Sequence, residues 1–138
     1  MIDKISIRAF VAVTEDEGRV REALSIFVPL DHISSQTALG HFGNEIKILE
    51  ASLRRKEAQA FFQILHEQLP SEDSLRLHHE IPERLEGASH FHLRLDKQAA
   101  YKGLFRLTES KDALDICALV KTYPSNRQQA IKILSELI

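Results

Sequence analysis

Cysteine is almost missing from this chain: Cys117 is the single thiol among 138 residues. No intramolecular disulfide framework can form, and a reducing, cytoplasmic setting is the expectation. Long apolar runs are missing too. None approaches the ~20 residues that a membrane helix needs, so no membrane partner is expected. The opening Met-Ile-Asp-Lys-Ile-Ser-Ile lacks the basic, apolar and small-residue order of a secretory signal. Glycine and proline are sparse, at five and four residues, and no repeat, low-complexity tract or interdomain linker interrupts the chain. Excess positive charge is also lacking. Eighteen Lys and Arg face 20 Asp and Glu, giving a formal net charge of −2, which argues against the broad electrostatic footprint of a general nucleic-acid binder.

Motifs of catalysis and cofactor binding are absent as well. The chain has no Gly-x-Ser-x-Gly, no Walker loop, no Gly-x-Gly-x-x-Gly and no His-Glu-x-x-His. A lone cysteine cannot build a zinc ribbon. Cys117 lies between Ile116 and Ala118, which suits a packed thiol rather than an activated thiolate. His90 and His92, two apart on a strand-like stretch, are the best metal candidates, and solvated or RNA-facing side chains explain them more simply. No cofactor, no metal and no enzymatic activity are expected.

What is present is enough for one domain over residues 1–138. Hydrophobic residues make up 43% and charged residues 28%, an ordinary core and an ordinary solvated surface. The charge is unevenly spread. Residues 66–86 hold six acids against Arg76 and Arg84, whereas residues 90–138 hold eight Lys or Arg against five acids. A compact basic run, Arg54-Arg55-Lys56, stands apart from both.

Periodicity orders the elements. Residues 4–13 alternate at period two, with Ile5, Ile7, Ala9, Val11 and Val13 on one face, which predicts a strand. Thr14-Glu15-Asp16-Glu17 has capping-box spacing and opens a helix over 15–27, stopped by Pro29. Residues 32–39 read as a polar edge strand, 40–44 as a turn and 45–53 as its partner, together a hairpin. A helix over 56–69 follows, ended by Pro70. Residues 71–89 allow a short helix carrying Leu75, Leu77 and Ile81, or a mobile acidic excursion. Strands are expected at 88–96, 103–108 and 113–121, and a final helix at 126–137 with Ser125 as its cap. The order predicts an α+β fold: a mixed, largely antiparallel sheet with helices packed on one face.

Residues 93–103, Leu-Arg-Leu-Asp-Lys-Gln-Ala-Ala-Tyr-Lys-Gly, gather the most suggestive chemistry. Lys97 and Lys102 flank Gln98 and Tyr101, and Arg94 and Arg106 can project from the adjacent strands. Arg54, Arg55 and Lys56 form a second basic group at a helix start. Lysine and arginine would hold phosphates, Gln98 would reach a 2′-hydroxyl or a base edge, and Tyr101 would stack. An equally good reading of the residues has Asp96 capping a turn, Tyr101 packing on the core and the lysines in solvent.

The same stretch resembles a signature of the archaeal RNA-binding protein family described as predicted exosome subunits. Ala12-Val-Thr-Glu-Asp-Glu17, Gly40-His-Phe-Gly-Asn44, and Tyr123-Pro124 with Arg127 and Ala130 are similar in order and spacing. The resemblance implies a ribosomal-protein-L5-like fold, binding of structured or double-stranded RNA, an exosome or other RNA-processing partner, and no catalytic residue. Glu45 departs from the proline common after the family's Gly-Asn. Within residues 93–103 the expectation is that Asp96 and Tyr101 hold the turn and leave Lys97, Gln98 and Lys102 as the ligand contacts. The competing function is a protein–protein adaptor or homodimer that uses the 32–39 edge or an uncovered sheet face.

Overall fold

The computed structural model describes residues 1–40, 43 and 45–138. Its spine is strand β1, Ile2–Val11. The period-two alternation puts Ile5, Ile7 and Ala9 into the core and Ser6, Arg8 and Phe10 on the other side. Strands β2 (Ser34–Leu39), β3 (Glu45–Arg54), β4 (Leu85–Glu86), β5 (His90–Asp96) and β6 (Ala113–Val120) complete a six-stranded sheet in the order β2-β3-β1-β6-β5-β4. Every neighbouring pair is antiparallel. The expected mixed, largely antiparallel sheet is therefore wholly antiparallel among the described strands.

Helices α1 (Glu17–Ser25), α2 (Lys56–Gln68), α3 (Ser71–His79), α4 (Ile81–Arg84), α5 (Lys97–Tyr101) and α6 (Arg127–Leu137) accompany the sheet. Val20 and Leu24 of α1, Phe61, Phe62 and Leu65 of α2, and Ala130 and Leu134 of α6 join the inward residues of β1, β5 and β6 in one buried cluster. Each fully buried Leu, Ile or Phe contributes about 1.5–3 kcal/mol, so this layer dominates the stability. Phe27 binds it to the rest. Its ring meets Phe105 edge-on at 4.7 Å and lies 6.0 Å from Phe61.

Four local expectations change. Helix α1 starts two residues later than the capping box suggests. Asp16 caps it by accepting the Gly18 N–H at 2.9 Å, and the Glu15 carboxylate is engaged elsewhere. At the other end of the chain Asn126, not Ser125, caps α6 through the Gln129 N–H. Residues 71–89 are α3, α4 and β4 rather than an excursion. Leu77 and Ile81 are buried there, but Leu75 is 73% exposed. Finally, residues 103–108 make a single bridge, Leu95 to Leu107, instead of a strand. Asp73 of α3 takes the Leu107 N–H at 3.0 Å, and that donor is lost to further pairing. The turn expected at 40–44 has His41, Phe42 and Asn44 outside the described residues. Gly43 has φ +79° and donates to the Gly40 carbonyl at 3.0 Å, the left-handed position a glycine fills without strain.

Arg127 pins the segment that the sequence leaves most open. Its guanidinium donates to the carbonyls of Leu85, Gly87 and Pro82 at 2.8, 2.5 and 2.7 Å. Three carbonyls of the α4–β4 segment thus depend on one side chain of α6. Arg127→Ala is expected to cost about 1–3 kcal/mol, and hydrogen exchange should speed up first at residues 81–87. Uniform acceleration across the whole sheet would contradict this.

Candidate nucleic-acid interface

The stretch 93–103 folds as the end of β5, the one-and-a-half turns of α5, and a stop. Asp96 caps α5 by accepting the Gln98 N–H at 2.9 Å. Gly103, at φ +73°, ends it, donating to the Ala100 carbonyl at 3.0 Å. Between these, Lys97 is buried and Tyr101 half-buried, while Gln98 and Lys102 are exposed.

Lys97 is the clearest departure from expectation. The ammonium expected to meet a phosphate is buried, at 3% exposure. Its Nζ donates to the Phe10 carbonyl at 2.7 Å and to Glu15 Oε1 at 2.9 Å, and it pairs with Asp112 Oδ1 at 3.1 Å. Three oxygens satisfy the three donors of an ammonium. Gln98 donates through Nε2 to Asp112 Oδ2 at 3.0 Å. Tyr101 donates its hydroxyl to Glu15 Oε2 at 2.8 Å, and Arg19 lies 5.5 Å over its ring. Glu15 also accepts the Ala12 N–H at 2.9 Å. One carboxylate from the β1–α1 loop therefore holds both Lys97 and Tyr101 of α5.

The charges answer this geometry. Burial pushes the Glu15 carboxyl up, but the Ala12 N–H, the Lys97 ammonium and the Tyr101 hydroxyl together hold it below its ordinary value. The Gln98 amide and then the Lys97 ammonium hold Asp112 low against the opposing pull of burial. Burial, and after it the hydrogen bond and charge of Glu15, push the Tyr101 phenol well up.

The remaining expected contacts are exposed. Lys102 and Arg106 lie in solvent beyond α5. Arg94 projects from β5 onto the face of the sheet that carries no core, where its Nε meets Asp115 Oδ1 at 2.8 Å. On the same face Arg8 pairs with Glu50 at 2.9 Å and His92 with Glu86 at 3.3 Å. Exposed pairs like these contribute about 0–1 kcal/mol each and are readily exchanged for another anion. Cys117 also lies on this face, opposite Ser6 and His92, so it is half-buried rather than packed in the core. Burial and then the Glu86 charge push its thiol up, away from a reactive thiolate. His90 bonds Ser89 Oγ at 2.8 Å. Among the described residues no group of three His, Cys, Asp or Glu side chains is placed to hold a metal ion.

Arg54, Arg55 and Lys56 are exposed, and none of them makes an ion pair among the described residues. The register separates them from α5. Lys4 lies opposite Arg54, while Val11, at the α5 end of β1, lies opposite Lys47. Seven residues of strand place the two ends about 23 Å apart at ~3.3 Å per residue. The structure therefore splits the nine expected contacts into two ends of the sheet, with Arg94 between them.

A family model described as RNA binding matches residues 4–120. The chain belongs to this RNA-binding family. A protein of Pyrococcus abyssi named as an RNA-binding protein is 30% identical over 140 residues, spanning 96% of this chain and 90% of that protein. The fold is shared with a crystal structure from Archaeoglobus fulgidus, at 32% identity, full coverage of both chains and a TM-score of 0.88. A structure from Methanothermobacter thermautotrophicus is 30% identical over 99% of this chain and 98% of its own, with a TM-score of 0.84.

Within this RNA-binding family member, sequence reasoning passed over Glu15 and Asp112, the two carboxylates that organise α5. Glu15 stood in a capping-box pattern, and Asp112 between the strands expected at 103–108 and 113–121. Lys97 carried no mark of burial, because a lysine between Asp96 and Gln98 reads as surface until the residues 82 and 15 positions away are brought to it.

Proposed function

We propose that the chain binds structured or double-stranded RNA without catalysing a reaction on it, gripping the phosphate backbone with Arg54, Arg55 and Lys56. The observation that carries this reading is their state: three consecutive exposed cations with no ion pair among the described residues, on a member of an RNA-binding family. Arg94 and Arg8 on the open sheet face would extend the contact by exchanging Asp115 and Glu50 for phosphates. Lys102 and Arg106 offer a smaller contact at the far end. In this reading Lys97, Gln98 and Tyr101 position α5 and its neighbours instead of touching the ligand. Association with the exosome or another RNA-processing assembly would follow from the bound RNA.

The test is a salt series. Binding of a hairpin RNA should weaken as salt rises, with a slope of log affinity against log salt of about −2 to −3 for three or four neutralised phosphates. A flat salt response, or no binding at low salt, would remove the reading.

A second reading has its own observation. All six residues of β2 are exposed, and β2 pairs only with β3, leaving its outer edge open. Among the described strands, such an edge suits pairing with a second copy or with a partner's strand. Light scattering with and without nuclease treatment distinguishes a protein-only assembly from one held by RNA.

A further inference from the structure

Three adjacent strands deliver cations to the same end of the sheet. Lys4 of β1 lies opposite Arg54 of β3, and Arg55, the next residue, donates its N–H to the Asp3 carbonyl at 3.0 Å. On the other flank of β1, Lys121 follows β6 and donates its N–H to the Met1 carbonyl at 2.8 Å. Two strand spacings of ~4.8 Å make this end about 10 Å wide across the strands, and because Lys121 lies two residues beyond Leu119, the partner of Lys4, the backbones of Arg54 and Lys121 are about 12 Å apart. Lys56, opening α2, is the fifth cation. Among the described residues three carboxylates stand against these five: Asp3, 3.5 Å from Lys121 Nζ, Glu57, 4.0 Å from His32, and Glu86, in the same cross-strand row as Lys4 through His90 and Leu119. The excess is positive in a chain whose formal net charge is −2. Lys4 and Lys121 played no part in the sequence-based candidates, since 117 residues separate them.

Tyr123 lies two residues beyond Lys121, within ~7 Å along the backbone, and is 100% exposed. A phenol ring with nothing against it is a stacking surface for a base that has left its own stack. The cationic patch is narrow. Its ~10 Å width is a fraction of the ≈16 base pairs that a double-stranded-RNA-binding domain spans. It suits a few phosphates of one strand, not a long duplex.

We propose that this end of the sheet recognises a duplex RNA where it gives way to single strand. Lys4, Arg54, Arg55, Lys56 and Lys121 hold the backbone phosphates, and Tyr123 stacks on the first unpaired base. This rests on the RNA-binding reading above and names the class of RNA and the residues that select it.

The experiment compares two RNA hairpins of one stem, both closed by the same tight four-nucleotide loop whose bases stay stacked, one blunt at its open end and one with a three-nucleotide tail there, by fluorescence anisotropy at low salt. The full chain is expected to bind the tailed hairpin more tightly, on the order of tenfold. Tyr123→Ala should abolish that preference while leaving blunt-hairpin affinity unchanged; a fully exposed ring can be removed without unfolding the chain. Lys4→Gln with Lys121→Gln should weaken both RNAs, by about tenfold. Equal affinity for the two hairpins, or a preference that survives Tyr123→Ala, overturns the junction assignment. Binding that is unchanged in the double glutamine variant but lost in Arg8→Glu with Arg94→Glu moves the contact to the open sheet face and overturns it too. If the wild-type chain binds neither hairpin, the RNA-binding reading itself falls with it.

Discussion

Replacing Lys97 by methionine is expected to destabilise the fold by about 3–5 kcal/mol, measured by urea denaturation at neutral pH. Methionine keeps most of the lysine's length and apolar stem, so little cavity opens. What is lost is the charge that satisfies Glu15, Asp112 and the Phe10 carbonyl. Glu15 then faces the low-dielectric interior with only the Ala12 N–H and the Tyr101 hydroxyl. Because Asp112 is half-exposed and can turn to water, the lower end of the range is the better expectation. A change below about 1 kcal/mol would mean the pair is as weak as an ordinary surface bridge.

The same network sets an acid limit. Glu15 and Asp112 both have folded-state values below their ordinary ones. The unfolded chain therefore binds protons more readily, and stability falls as pH falls. The contribution is complete above the ordinary carboxylate range and disappears as pH drops through the lowered values. In the Lys97→Met variant Glu15 loses its cation, so the difference in stability between wild type and variant should shrink between pH 6 and pH 3. A difference that stays constant over that interval would place the effect of Lys97 in packing, not charge.

The second large effect concerns binding. Arg54→Glu with Arg55→Glu is expected to reduce RNA affinity by about 100-fold at low salt and to flatten the salt slope by about 1.5–2. Both side chains are exposed, so the fold should survive. Arg55 permits a sharper separation of stability from binding. Its backbone has φ +49° and ψ −107°, a conformation that costs a residue with a Cβ about 1–3 kcal/mol and that glycine adopts freely. Arg55→Gly should therefore raise the melting temperature while lowering RNA affinity. A variant that is more stable and binds equally well would take Arg55 out of the contact. The strained arginine joins β3 directly to α2 with no linker residue, and the hydrogen bond from its N–H to Asp3 fixes it there.

Lys102→Ala and Arg106→Ala supply the contrast. Both lie at the α5 end, about 23 Å from Arg54 along the sheet, and each should change affinity by far less than the Arg54 and Arg55 pair. That ordering distinguishes a contact centred on the β3–α2 junction from one centred on the signature stretch.

The sequence by itself determined the elements whose residues report their own surroundings. Alternation reads directly as strand over most of the expected 4–13 and 113–121, because one side of each faces the core; Val13, expected inward, lies beyond β1 and is 78% exposed. The 3.6-residue spacing of Ala58, Phe61, Phe62 and Leu65 likewise declares α2 and its buried stripe. The membership of an RNA-binding family was legible too, since the Asp96–Tyr101 motif is a contiguous string. What the motif does was decided only by tertiary structure. A lysine's burial depends on whether distant carboxylates arrive to satisfy it, and Glu15 and Asp112 reach Lys97 only after the β1–α1 loop and the start of β6 close over α5. The basic end of the sheet is hidden for the same reason. Lys4, Arg54 and Lys121 are ordinary surface residues in the chain, and antiparallel register alone brings their backbones within about 12 Å.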